Sequence, residues 1–105
     1  YESYIEKGLL EHPETDGIFA SSDLIAAQVL QRLHAMGKRV PEEVKVVGFD
    51  DTVIAGLTTP AITTIHQPIE EMSELSMEYI DRRRKGELVP NVTTMPVRLV
   101  VRDSA

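Results

Sequence analysis

The sequence predicts an α/β fold with a mostly parallel sheet and flanking helices. Residues 17–49 contain a strand, a helix and a second strand, which is the length and order of a βαβ unit with its usual right-handed crossover. The runs at 17–21 and 44–49 are almost continuously apolar, as is typical of strands buried on both faces. A third, β-branched run at 62–66 predicts a further strand of the same sheet.

Each element has a local reason in the sequence. The predicted order is helix 1–12, strand 17–21, helix 24–36, strand 44–49, loop 52–60, strand 62–66, helix 68–85 and strand 95–101. The His12-Pro13 step ends the first helix, because the residue before a proline leaves the helical region. Gly37 ends the second helix, and Pro68 suits the first position of the long third helix. Pro96 confines the last strand to an edge or to a strand start.

Composition excludes several classes of function. The 105 residues include 11 Lys and Arg against 17 Asp and Glu, and this net charge of −6 argues against nucleic-acid binding by this chain alone. The absence of cysteine removes disulfides, thiolate metal sites and cysteine nucleophiles. No apolar run reaches the roughly 18 residues of a membrane span. The first residue is not Met and the first helix starts without a cap, so we expect a piece of a longer protein.

Polar side chains follow two neighbouring strands at the point where each strand ends. Asp50 and Asp51 follow one strand, and Ser22 and Asp23 follow the other. In open α/β sheets ligands bind beyond the carboxyl ends of strands, so Ser22 and Asp50 could line one cleft and bind ligand hydroxyls. The alternatives are a turn or helix-capping role, favoured for Asp23, and a Mg²⁺ site at the two adjacent acids.

The sequence carries no pattern typical of an enzyme. His12, His34 and His66 have no partner at metal-ligand spacing, although His66 ends a strand where its side chain would face a cleft. There is neither a nucleophile elbow nor a glycine-rich phosphate loop. The basic run at 82–85 is expected to be the solvated end of a helix, where the dipole favours positive charge. We therefore predict no catalytic residue, metal or cofactor.

Three segments resemble the LacI/GalR family of bacterial repressors in order and spacing. They are DGIFASSD at 16–23, VPEEVKVVGFDD at 40–51 and LTTPAITTIHQP at 57–68, and the resemblance covers essentially all of residues 1–105. It implies a periplasmic-binding-protein-like core with Rossmann-like lobes that hold an effector between them, of which this chain is the C-terminal part. Residues 1–65 and 95–105 would belong to the C-terminal lobe. The helix at 68–86 would pack on the N-terminal lobe, which this chain lacks.

The resemblance also implies roles for individual residues. Asp50 matches the acid that hydrogen-bonds the effector, and Ser22 matches a position that contacts sugar hydroxyls in sugar-responsive members. Gln67 matches a cleft position near the crossing between lobes. The second helix and the loop at 52–59 match the family's dimer interface, which would include Ile25, Val29, Val53, Ile54 and Leu57.

The function implied is effector binding by a cytoplasmic, non-enzymatic transcriptional regulator that acts as a repressor. Its effector would be a sugar or sugar phosphate, with a purine also possible. The protein would be a homodimer without membrane association, and operator DNA would be bound by an N-terminal domain outside this chain. Two alternatives are a periplasmic-type solute-binding protein of a transporter and a Mg²⁺-dependent phospho-acceptor domain built on Asp50 and Asp51.

Overall fold

A computed structural model describes residues 2–105, except for the side chain of Glu2. Tyr1, the first residue of the first predicted helix, lies outside the described residues. Across residues 2–105 the chain forms four helices and four short strands. In chain order they are α1 Glu2–Glu11, β1 Gly17–Phe19, α2 Asp23–Ala35, β2 Lys45–Val47, α3 Val53–Leu57, β3 Thr64–His66, α4 Ile69–Arg84 and β4 Arg98–Val100.

The strands form one parallel and one antiparallel pair. β1 pairs with β2 in parallel, and β3 pairs with β4 antiparallel. Isolated parallel bridges from Val47 to Thr63 and from Asp50 to His66 place β3 beside the end of β2 and the residues that follow it. The predicted α/β class is confirmed. The sheet is less uniformly parallel than predicted, because the last strand runs against its neighbour.

The core lies against the inner face of α2. It consists of nine small or branched residues: Ala20, Ala26, Val29, Leu30, Leu33, Val44, Val46, Ala55 and Ile62. α1 covers this cluster with Ile5 and Leu9, which are partly buried. Full burial of a side chain such as Leu33 contributes about 1.5–3 kcal/mol. The helical spacing of the buried α2 residues is the pattern from which this helix is predicted.

Ser104 anchors the end of the chain in the core. Its hydroxyl donates to Val46 O at 2.5 Å and accepts from Thr63 N at 2.8 Å. Its carbonyl accepts from Val46 N at 2.9 Å. Ser104 is buried and bonds both to β2 and to Thr63, the residue before β3. The C-terminal segment therefore holds β2 and the start of β3 together.

Two local predictions are corrected by the structure. Within the loop predicted at 52–60, Val53–Leu57 forms helix α3, because Ala55 packs in the core and fixes the segment on α2. β1 is not buried on both faces, since Phe19 is 67% exposed. Among the described residues β1 has a strand partner only in β2, so its apolar side chains are only partly buried.

The chain divides into two compact units. The first comprises the residues up to His66 together with Arg98–Ala105, and the second is Gln67–Val97. In the second unit, Tyr79 Oη lies 2.9 Å from Thr93 Oγ1, which ties α4 to the segment after it. α4 has 16 residues and buries none of them. Neither α4 nor another helix within residues 2–105 has the length and apolar character needed to cross a membrane.

Candidate functional site

The carboxyl ends of β1 and β2 meet at one edge of the sheet. Asp23 N donates to Phe49 O at 3.0 Å and so joins the residues after β1 to those after β2. This bond brings Ser22 and Asp50 to the same edge, as predicted. We call residues 20–23 and 49–51 the polar edge. Ser22 Oγ accepts from Ile25 N at 3.2 Å, so Ser22 is also the N-cap of α2.

Asp50 and Asp51 have an uncommon backbone conformation. Their φ angles are 107° and 56°, in a region that residues other than glycine rarely adopt. Each such residue costs of order 1–3 kcal/mol and persists only where its surroundings hold it. Asp50 N donates to Ile65 O at 2.9 Å, which fixes one side of the turn. Because strain of this kind collects at binding sites, the conformation supports a role for this edge in recognition.

The carboxylate of Asp51 is held between the side chains of Arg102 and His66. Its Oδ1 accepts from Arg102 Nη2 at 2.7 Å, and its Oδ2 lies 2.8 Å from His66 Nδ1. Burial acts to raise the pKa of the Asp51 carboxyl, but hydrogen bonds from Arg102 and His66, with their charges, outweigh it and lower the pKa below its usual value. Asp51 is therefore ionised at neutral pH and engaged by protein groups.

This pairing weakens the Mg²⁺ alternative. A metal would have to compete with Arg102 and His66 for the Asp51 carboxylate, and it would lie beside the Arg102 charge. Within residues 2–105, the His, Asp and Glu side chains form no group of three able to hold a metal ion.

Asp23, which is fully buried, makes a second network beneath the polar edge. Its Oδ2 accepts from Thr52 N at 2.6 Å and from Thr52 Oγ1 at 3.0 Å, and its Oδ1 accepts from Thr64 Oγ1 at 2.6 Å. Gly48 leaves room for this carboxylate, since a Cβ there would lie 2.5 Å from Asp23 Oδ1. The capping role favoured for Asp23 is therefore wrong. Asp23 instead ties the start of α2 to the start of α3 and to β3.

Gln67 lies in the second unit, whereas Ser22 and Asp50 lie in the first. Within its unit Gln67 lines a cavity of about 280 Å³. The other lining residues include Met72, Leu75, Tyr79, Thr93 and Met95. Within the first unit the structure thus brings together two of the three predicted effector residues, Ser22 and Asp50.

Four of the five predicted interface residues reach the surface of α2 and α3. Val53 and Leu57 are 79% and 76% exposed, and Ile25 and Ile54 are partly buried. Leu24, 57% exposed, adds to this apolar surface. The prediction for Val29 is corrected, because its side chain is 2% exposed and packs in the core. We call the surface formed by Leu24, Ile25, Val53, Ile54 and Leu57 the α2–α3 face.

The partners of Asp51 and Asp23 were not found from the sequence. His66 carried a usable signal, because it ends a strand at the same edge as Asp51. Arg102 carried none, since 51 positions separate it from Asp51. Thr52 and Thr64 look like ordinary loop and strand residues until Asp23 is seen to be buried.

Comparison with known proteins agrees with this geometry. Residues 2–105 match the periplasmic binding protein-like domain, and the chain belongs to this family. The ribose operon repressor of Halalkalibacterium halodurans is 38% identical over 102 residues, 95% of this chain and 31% of the relative. The regulator CelR of Thermobifida fusca is 43% identical over 89 residues, 85% of this chain and 25% of the relative.

Solved structures of regulators share the fold over nearly the whole chain. The complex of CelR with cellobiose has a TM-score of 0.89 at 35% identity and covers 99% of this chain and 32% of that one. The lac repressor dimer bound to operator and the anti-inducer ONPF has a TM-score of 0.89 at 25% identity, covering 97% and 36%. The chain therefore spans about a third of the length of its relatives, within the effector-binding region of LacI-type repressors. The resemblance predicted from the sequence is confirmed, and these relatives are transcriptional regulators rather than enzymes.

Proposed function

We propose that the regulator containing this chain senses a sugar at the polar edge, with Asp50 as a principal contact. The observation that carries the proposal is the position of Asp50, at the carboxyl end of a parallel strand, beside Ser22 and in a positive-φ conformation. An ionised carboxylate accepts hydrogen bonds from hydroxyls of a sugar, and charge-assisted bonds of this kind are the stronger ones. The Ser22 hydroxyl offers a neutral partner on the same edge.

A neutral sugar fits this edge better than a sugar phosphate. A phosphate group would require basic contacts, and Arg102, the basic residue joined to the edge, is paired with Asp51. Asp50 and the net charge of −6 would also repel an anion. The cellobiose complex of CelR supports a carbohydrate as effector.

Dimerisation and DNA binding are proposed for the whole regulator. The α2–α3 face offers exposed apolar side chains to a second copy, and the lac repressor dimer on its operator supports this arrangement. Operator contacts would lie outside this acidic chain, in a protein that acts in the cytoplasm. A sugar that favours one arrangement of the regulator would then change its affinity for the operator.

The division of the chain supports a lobe assignment. Residues up to 65 and from 95 onward would belong to one lobe of the effector-binding core, and the helix at 68–86 to the other. The unit boundaries at His66–Gln67 and Val97–Arg98 lie close to these proposed limits.

Calorimetric titration of the native-length polypeptide that contains this chain tests the proposal. The ligands are a panel of pentoses, hexoses and disaccharides, including D-ribose and cellobiose, with ribose 5-phosphate and hypoxanthine as the phosphate and purine comparisons. We expect saturable binding of at least one neutral sugar, and weaker binding of its phosphate. Binding of hypoxanthine with no response to any sugar of the panel would contradict the proposal.

A further inference from the structure

We propose that Asp51 is a positioning residue for effector recognition. Its contacts with Arg102 and His66 hold Asp50 in its binding conformation and link Asp50 to both places where the chain passes between its two units. The inference rests on the proposed role of Asp50. Beyond that role, it explains which contacts hold the backbone of Asp50 in its conformation.

The first argument is the immobility of the Asp51 carboxylate. The side chain is 13% exposed, and each carboxylate oxygen has its own partner, Arg102 on one side and His66 on the other. Arg102 is itself fixed, since its Nη1 donates to Ile62 O at 3.0 Å and its backbone N donates to Thr63 Oγ1 at 2.8 Å. A carboxylate with partners in two directions cannot rotate without breaking one of them.

The second argument is the strained backbone at Asp50 and Asp51. Asp50 and Asp51 both have positive φ, and they share one peptide plane. A chain free to relax would leave this conformation, so something must hold it. The bond from Asp50 N to Ile65 O holds the side toward β3, and the fixed side chain of Asp51 holds the other. This backbone sets the direction of the Asp50 Cα–Cβ bond, from which the side chain projects.

The third argument is the position of the partners along the chain. His66 is the last residue of the first unit before the chain leaves it, and Arg98 is where the chain returns. These two residues are paired in the β3–β4 ladder, and Arg102 lies four positions after Arg98. The charged groups around His66 are therefore Asp51, Asp50 across the bridge and Arg98 on β4. A shift of Asp50 on binding would reach both chain crossings through Asp51.

Asp51→Asn in the native-length polypeptide tests the inference, with Asp81→Asn as its matched control. Asp81 also has two basic partners, Arg84 at 3.3 Å and Lys85 at 3.1 Å, but it lies on the exposed end of α4. NMR of Asp50 reports its φ through the HN–Hα coupling and the Cα shift. We expect Asp51→Asn to move both signals and to weaken binding of D-ribose or cellobiose about tenfold or more. Asp81→Asn should leave the Asp50 signals unchanged and affinity within about twofold.

The outcomes separate this inference from the proposed function. Unchanged Asp50 signals in Asp51→Asn overturn the positioning role, whatever the sugar affinity. If the signals move but Asp50→Ala leaves sugar binding intact, Asp51 still positions Asp50 and the proposed role of Asp50 in binding fails. Where Asp51→Asn does not fold, Arg102→Gln removes one partner only, and it should move the Asp50 signals in the same direction. Unchanged Asp50 signals in Arg102→Gln would also contradict the inference.

Discussion

Asp50 and Asp51 are adjacent acids with different tasks. The Asp51 carboxylate is engaged by Arg102 and His66, whereas Asp50 is the acid for which we propose contact with a ligand hydroxyl. The lowered pKa of the Asp51 carboxyl keeps its ion pair with Arg102 intact over the neutral range, because the carboxylate stays charged well below neutrality. One acid thus supplies structure, and the proposed role of its neighbour is ligand binding.

Gly48 shows how closely the residues under the polar edge are fitted. A Cβ at this position would meet Asp23 Oδ1 at 2.5 Å, Ile62 Cγ2 at 3.2 Å and Ala26 Cβ at 3.3 Å. We expect Gly48→Ala to lower the free energy of unfolding by about 2 kcal/mol, because none of these buried groups can move without losing packing or a hydrogen bond. Urea denaturation of the native-length polypeptide measures this.

Gly8 provides the control for Gly48. A Cβ at Gly8 meets nothing within 4 Å, and the residue lies inside α1. Gly8→Ala should raise stability by roughly 0.5–1 kcal/mol, the usual gain in helix propensity. Equal stability of Gly48→Ala and the wild type would show that the Asp23 network tolerates displacement, contrary to the packing described above.

At the scale of elements, α3 connects the buried network to the surface. Thr52, at the N-cap position of α3, is held by Asp23, and Ala55 is fully buried. This anchoring leaves Val53 and Leu57, one helical turn apart, exposed on the same short helix. Two exposed apolar side chains on a firmly held helix are suited to a contact with a second copy of the chain.

The double substitution Val53→Glu and Leu57→Glu tests this face. We expect it to weaken dimerisation of the native-length polypeptide by about tenfold or more, since burying two carboxylates in an apolar interface is costly. Sedimentation velocity over a range of concentrations measures the effect. Leu10→Glu, a change at a 67% exposed residue of α1, is the control and should leave the dimer intact. A double variant that sediments as the wild type does would exclude the α2–α3 face as the interface.

The elements differ in how well the sequence predicts them. α2 is predicted because its buried residues recur at helical spacing, and β2 because its apolar run stands out. α3 is missed because five residues that include a glycine carry no helical pattern, and only packing on α2 makes them a helix. β1 is predicted as buried on both faces because an apolar run does not reveal how many neighbours a strand has.

Part of the candidate site can also be predicted from the sequence. The proximity of Ser22 and Asp50 is predicted because strand ends in a parallel arrangement meet at one edge. The ion pair of Asp51 with Arg102 depends on the way β4 returns the chain, which local sequence does not record. Buried Asp23 is misassigned because a cap and a buried acid look the same at a helix start.

At the scale of the whole molecule, the chain covers 25–31% of the length of the two relatives given above, and its two units are joined at two chain crossings. The contacts of Asp51 involve residues near both crossings, and the Asp23 network reaches the α2–α3 face. The proposed binding at Asp50 would thereby be connected through short, partly buried contacts to the parts of the regulator that we expect to move and to dimerise.

The most direct test of the central claim is the sugar affinity of Asp50→Ala beside that of Asp16→Ala. Asp16 is an exposed acid immediately before β1, at the opposite end of the sheet from the polar edge. Using the sugar of the panel that binds the wild type, we predict a loss of about tenfold to a hundredfold for Asp50→Ala, the value of hydrogen bonds to a charged group. Asp16→Ala should bind as the wild type does. Wild-type affinity in Asp50→Ala would contradict the assignment of the effector site to this edge.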